Sequence, residues 1–335
     1  MGDDGTIRIT DVARLAKVST ATVSRALSNP GIVSARTRDA VLAAVAETGY
    51  SANPSARNLR RQRTGAVMAL VPTIANPFFS EILAGMVDTL HPLGLNLIVS
   101  DTRAAQDAPR SLLDYANRSQ ADGLLLLDGG LDPALLSRPQ CPPVVQVCEE
   151  VPGVEGARVV ADNAGGMRTM VAHLAGLGHA RIGRVAGPAR NSLTRARSEG
   201  FRAGMAEAGL ELREDWILEG DFSLASGGAA AARMVAMSDR PTAILCDNDE
   251  MACGVIGAAL RAGLSVPGDV AVTGFDDIDL AHHLTPALTT MHQPRREIGA
   301  AAAAALVDLI EGRETPPRRT FPVELRIRES TAPAA

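Results

Sequence analysis

DVARLAKVSTATVSRALSN, residues 11–29, decides how the rest of the chain is read. The spacing predicts two short helices, 11–17 and about 20–27, with Val18 in a tight turn between them and Ser19 capping the second. At about 100° per residue, Val23, Ala26 and Leu27 fall on one side of the second helix, with Val12 and Ala16 as partners on the first. Thr20, Ala21, Ser24 and Arg25 fall on the other side. A short helix with an apolar back and a small, polar, cationic front suits the major groove of DNA. An ordinary amphipathic helix pair has the same pattern, so the flanking sequence must decide.

Downstream, Ser34 is placed to cap a third helix running to about Thr48, with Val41, Leu42 and Val45 as its apolar stripe and Gly49 at its C-terminus. Three helices closing on Val12, Val23, Leu27, Val41 and Val45 make a small core. YSANPSARNLRRQR (50–63) follows, a segment in which Ser51 or Asn53 caps a helix carrying Ala56, Leu59 and Arg60. So short a helix is unstable alone in water. Through Thr64 there are ten Arg and Lys against five acids, or +5. The whole chain carries 33 against 38, so the remainder holds 23 against 33, or −10. A basic head on an acidic body puts polyanion binding at the N-terminus.

From Gly65 onward, apolar runs such as AVMALVP, LNLIVS, GLLLL, RIGRVAG, AILCD and VAVTGF alternate with helical stretches. Strands that are apolar throughout imply parallel sheets covered by helices on both faces. The 335-residue length exceeds what one such sheet needs, so two α/β subdomains of doubly wound parallel sheet are expected behind an all-α head. There is no run of 18 or more apolar residues and no charged-then-apolar leader, which leads to the expectation of a cytoplasmic protein with no membrane partner. The four cysteines show no CxxC spacing and are expected as reduced core thiols. No P-loop, GxSxG, HExxH or EF-hand spacing is present, so neither enzyme chemistry, a metal nor a cofactor is expected.

VSTATVSRALSNP resembles the DNA-binding head of the LacI/GalR repressors. The resemblance runs on through NPFFSEI (76–82), ADGLLLL (121–127), VVADN (159–163), GHARIGRVAGP (178–188), GFDDIDL (274–280) and LTTMHQPRREIG (288–299). KVSTATVSRAL, the Arg57-Asn58 pair, PFFSEI, GDF (220–222) and QPRREIG are similar to the family's cytidine-repressor branch. It implies a helix-turn-helix domain at 1–50, a hinge helix at 51–64 and a periplasmic-binding-protein-like effector and dimerisation domain at 65–335. That domain would divide into an N-subdomain of about 66–161 with 294–320, and a C-subdomain of about 163–290 with 321–330.

The resemblance also assigns roles. Thr20 and Ala21 match base-reading positions, Arg25 a base- or phosphate-contacting one, and Asn29 falls in the same DNA-binding motif. The hydroxyls of Ser19, Thr22 and Ser34 suit phosphate contacts. Asn53, Ala56 and Leu59 belong to the hinge, where Ala56 would pack helix to helix and Leu59 would wedge the minor groove. Ala52 stands where the family commonly has Pro, and Lys17 where a Gly is frequent at the turn.

In the body the candidates for effector binding are Phe78, Phe79, Asp101, Glu149, Arg197, Phe222, Asn248 and Asp276, each just after an expected strand or at a helix start. Aromatic faces stack on a sugar or base, and Asp and Arg hydrogen-bond hydroxyls. For Phe78 and Phe79, plain core packing is the alternative. Cys148 replaces an Asp common among sugar-binding members, and Glu149 resembles the cytidine-repressor branch. The expected protein is a homodimeric repressor of a pseudo-palindromic operator on double-stranded DNA, released by a nucleoside or sugar in the interlobe cleft. Two alternatives stay open: a corepressor-dependent regulator, and a solute-binding protein without DNA function.

Overall fold

The computed structural model describes residues 7–28, 30–50, 63–103 and 120–333. They divide into two compact units, Met1–Arg63 and Thr64–Ala335.

The first unit holds α1 (Ile9–Leu15), α2 (Thr20–Ser28) and α3 (Ala35–Thr48). Val12, Ala13, Val23, Ala26, Val41 and Ala44 form its buried core, with Ala16, Val18, Leu27 and Val45 packed against them. Ser34 caps α3 by accepting from the Thr37 amide, and Gly49 closes it at φ +67°. Leu42 does not belong to the apolar stripe: it is 50% exposed, because Val41, Ala44 and Val45 already span the face turned to α1 and α2. The first helix also begins earlier than expected. Asp11 lies at its third position, where its carboxylate accepts from the Arg8 amide and so extends the helix upstream.

The second unit is built on two six-stranded sheets. The first has the order β11-β5-β4-β3-β1-β2, from β1 (Ala66–Val71), β2 (Asn96–Asp101), β3 (Gly123–Leu126), β4 (Val144–Val147), β5 (Ala157–Ala161) and β11 (Arg318–Phe321), all parallel. The second has the order β12-β10-β9-β8-β6-β7, from β6 (Ile182–Ala186), β7 (Ile217–Glu219), β8 (Ala243–Cys246), β9 (Ala271–Asp276), β10 (Thr289–His292) and β12 (Glu324–Arg326). Among the described strands only β12 runs antiparallel. The fold is therefore a helix-turn-helix head and a doubly wound α/β body.

Helices cover both faces of each sheet. On the first, α4 (Phe78–Leu90) packs on α11 (Arg295–Ile310) over one core face, and the short α5 (Pro133–Leu136) covers the other. On the second, α6 (Asn163–Gly176) pairs with α7 (Ser192–Glu207), and α8 (Leu224–Val235) with α9 (Asp249–Arg261). The short α10 (Leu280–His283) precedes β10. Each pair approaches closely at glycine. A Cβ at Gly85 would strike the Arg296 carbonyl, one at Gly200 that of Ala164, and one at Gly254 that of Leu224.

The chain crosses between sheets three times: β5 to α6, β10 to α11, and β11 to β12. The return strand β11 carries no apolar run that would announce it in the sequence. Its RRTF is polar and mostly exposed, as an edge strand can be. Residues 104–119, between β2 and β3, lie outside the described residues.

Candidate functional site

In the head, the Ser19 hydroxyl accepts from the Thr22 amide at 3.1 Å and lies 2.9 Å from the Thr22 hydroxyl, which fixes the start of α2. Thr20, Ala21 and Arg25 are exposed while Val23 and Ala26 are buried, so α2 presents the small polar face outward. Ser34 is exposed with its hydroxyl on the Thr37 amide and hydroxyl. Lys17 adopts φ +52°, a left-handed turn position that glycine would fill without strain. Asn29, Asn53, Ala56 and Leu59 lie outside the described residues.

In the body, a cavity of about 250 Å³ opens where the carboxyl ends of the strands of both sheets meet. Phe78, Phe79, Glu149, Arg197, Phe222, Asn248 and Asp276 line it. Asp101, the eighth candidate, is not among them. Its carboxylate accepts the amides of Ile74 at 3.0 Å and Arg103 at 2.8 Å, so it shapes the loop rather than the wall. Lining residues that sequence reasoning missed include Asn76, Arg103, Leu193, Asp221 and Glu250. The signal for two of them was adjacency: Asp221 precedes Phe222, and Glu250 follows the capping Asn248 by two.

Arg197 is the anchor of the wall and is 1% exposed. Its Nε donates to Asn163 Oδ1 at 2.8 Å, Nη1 to the Asp247 carbonyl, and Nη2 lies 3.5 Å from Asp276 Oδ1. The guanidinium also stacks 3.9 Å from the Phe275 ring centre. Asp247 is itself clamped by buried Arg184 through two contacts of 2.7 Å. Asp276 accepts from Gln293 Nε2 at 2.7 Å. Burial pushes its carboxyl up to about 6, with Arg197, Arg295 and Gln293 pulling it back. Glu149 accepts the Gly129 amide at 2.8 Å. Burial raises it too, against hydrogen bonds from Asn191 and Gly129.

Phe78 and Phe79 meet edge to face at 5.1 Å and belong to the hydrophobic core as well as to the cavity. Asn248 caps α9 through the Met251 amide and donates to the Phe222 carbonyl at 3.0 Å. Three lining residues hold left-handed backbone without being glycine: Cys148 (φ +63°), Phe222 (φ +69°) and Asp276 (φ +118°). Strain gathered around one cavity, from both sheets, marks a place where side-chain aim is held by its surroundings. Burial, with Glu149 and Asp276 adding to it, pushes the Cys148 thiol up and keeps it protonated.

Residues 8–53 match the family described as "Bacterial regulatory proteins, lacI family", and residues 171–331 match the "Periplasmic binding protein-like domain". The HTH-type transcriptional repressor CytR of Escherichia coli (strain K12) is 38% identical over 96% of this chain and 95% of its own length. The chain belongs to the lacI family. The PurR repressor of Photobacterium profundum is 37% identical over 96% of this chain and 98% of its own. These lacI-family relatives are named as transcriptional repressors, not enzymes. Among solved structures, the lac repressor dimer bound to operator and an anti-inducer superposes at TM-score 0.85, with 29% identity over 97% of this chain and 99% of that one. The CelR–cellobiose complex gives 0.75, with 32% identity over 97% and 100%. No helix among the described residues is long and apolar enough to cross a membrane.

Proposed function

We propose that this lacI-family repressor binds a pseudo-palindromic operator as a homodimer and is released when a small polyhydroxylated effector, a nucleoside or a sugar, enters the cleft of the body. The observation that carries the ligand half is the cavity to which both sheets send strand ends, with buried Arg197 and Asp276 side by side in its wall. The DNA half rests on α2, whose apolar back is buried while Thr20, Ala21 and Arg25 face out. Thr20 and Ala21 can offer a hydroxyl and an apolar contact to a thymine methyl; Arg25 supplies the cationic contact. Ser19, Thr22 and Ser34 would hold phosphates, and the hinge residues Asn53, Ala56 and Leu59 would set the bend at the dyad. Glu149, beside a cysteine where sugar-binding members have Asp, favours the nucleoside.

The relatives support this reading from their side: the lac repressor structure is a dimer on operator, and CelR holds cellobiose. The test begins by selecting duplexes from a random library with the purified protein, then titrating the selected operator by fluorescence anisotropy with and without cytidine, adenosine, ribose or glucose. Release of DNA by one of them supports the proposal. Tighter DNA binding instead would establish the corepressor mode. Failure to enrich any palindromic sequence would sink the DNA half and leave a solute-binding protein.

A further inference from the structure

Resting on the nucleoside-or-sugar reading of the cleft, we propose that the effector is unphosphorylated: the cavity takes a neutral or cationic polyol and rejects its phosphate ester. Glu149, Asp221, Glu250 and Asp276 line the cavity, against Arg103 and Arg197 as its cations. Arg197 is already engaged by Asn163, the Asp247 carbonyl and Asp276. Arg103, more than half exposed, lies 3.8 Å from the Asp128 carboxylate. Glu250 is half-buried, has no ion pair among the described residues, and is pushed up by burial and by neighbouring Asp221.

The second observation concerns the backbone. Helix N-termini are the usual protein answer to a phosphate, because their first amides point at it unpaired. Four helices begin at this cavity, and each commits at least one first-turn amide to a side chain at or just before its start. The Phe78 amide donates to Asn76 Oδ1 at 2.8 Å at the start of α4, and the Leu193 amide to Asn191 Oδ1 at 2.8 Å in α7. The Ser226 amide donates to Ser223 Oγ at 3.2 Å in α8, and the Met251 amide to Asn248 Oδ1 at 3.0 Å in α9. The first turn of α9 carries Asp249 and Glu250 besides. A dianionic ester would therefore meet carboxylates where it needs donors, and at each helix start a first-turn amide already taken by a side chain. Hydroxyls and amines, which donate, meet acceptors.

The experiment is isothermal titration of the full-length protein with matched pairs: cytidine against cytidine 5′-monophosphate, and ribose against ribose 5-phosphate. The expected result is that the unphosphorylated member of a pair binds at least tenfold tighter, and that Asp221→Asn with Glu250→Gln narrows the gap. Equal or tighter binding of the phosphate ester overturns the inference, and loss of that binding in Arg103→Ala would name the residue responsible. A gap unchanged in the double variant overturns the assignment to these carboxylates. Silence from every member of both pairs defeats the reading for cytidine and ribose, and with it this inference, a different result from a preference for the ester.

Discussion

Asp276 carries two demands on one carboxylate: it partners Arg197 in the interior and lines the cavity proposed to take the effector. Folding raises it from 3.8 to about 6, so folding favours its protonated form. Its contribution to stability is thus fully present in acid, below the unfolded value, and is lost as pH rises through about 6. Ligand binding runs the other way, because a hydroxyl donates best to the ionised form. Effector affinity should fall as pH drops through about 6. Asp276→Asn should lose both that pH dependence and about tenfold to a hundredfold in affinity, the worth of a charge-assisted hydrogen bond of roughly 1.5–3 kcal/mol. Titration calorimetry between about pH 5 and 8 reads both, and a flat wild-type profile would remove Asp276 from the binding wall. Behind it, Arg184 holds Asp247, whose carbonyl holds Arg197. Replacing Arg184 by Met leaves a buried carboxylate without its partner and should cost about 3–5 kcal/mol. A denaturant midpoint within error of wild type would show that the chain of contacts is not structural. Sequence reading pointed to Arg197 and Asp276 through family positions, and both line the cavity, but it could not see that Arg197 is also a core residue.

At the scale of elements, small residues control how closely helices approach. Gly254 sits where a Cβ would meet the Leu224 carbonyl, and Gly227 where it would meet that of Met251, so α8 and α9 touch backbone to backbone. Gly254→Val should destabilise the body by at least the roughly 1–3 kcal/mol typical of overpacking, read as a lowered denaturant midpoint. In the head the sign reverses. Lys17→Gly should raise the melting temperature, since a left-handed non-glycine residue costs about 1–2 kcal/mol. A lower melting temperature would show that the turn gains more from the Lys side chain than it loses to strain. Elements legible from sequence were those with apolar periodicity or a cap: Ser34 and Gly49 bracketed α3, and AILC announced β8. Strand β11 stayed hidden because RRTF lies at an edge and carries no apolar run. Leu42 misled because its neighbour Val41 already supplies the buried contact, and exposure follows the helix angle rather than the residue type.

For the whole molecule, the charge split between head and body matters most. Ten cationic residues against five acids through Thr64 make DNA affinity depend steeply on salt, while effector affinity should hardly change. Raising salt from about 50 to 200 mM should weaken operator binding by at least roughly tenfold, and equal sensitivity of both activities would contradict their separation into two sites. Leu59→Ala should weaken operator binding by about tenfold or more and spare the effector, as measured by anisotropy and calorimetry on one preparation. Arg197→Ala is a poorer counterpart than its position suggests, since it also withdraws a buried ion pair. The architecture was readable because parallel strands buried on both faces are apolar throughout. The cavity's acidic lining was readable only in part: Glu149 and Asp276 were expected there, whereas Asp221 and Glu250 join them only when strand ends from both sheets converge.

The three crossings between sheets have a consequence for synthesis. The first sheet begins at Ala66, yet its outer strand ends at Phe321, and the core face under α4 needs Ile298, Ala302, Ala303 and Leu306 from α11. A ribosome delivering the chain from the N-terminus therefore finishes the head early but leaves one face of that sheet only partly covered until residues 295–310 have emerged. Proteins commonly fold domain by domain as they emerge. Here the lobe encoded first must wait for the lobe encoded second. Nascent chains stalled near residue 290 should expose the first sheet to protease while the head already resists it.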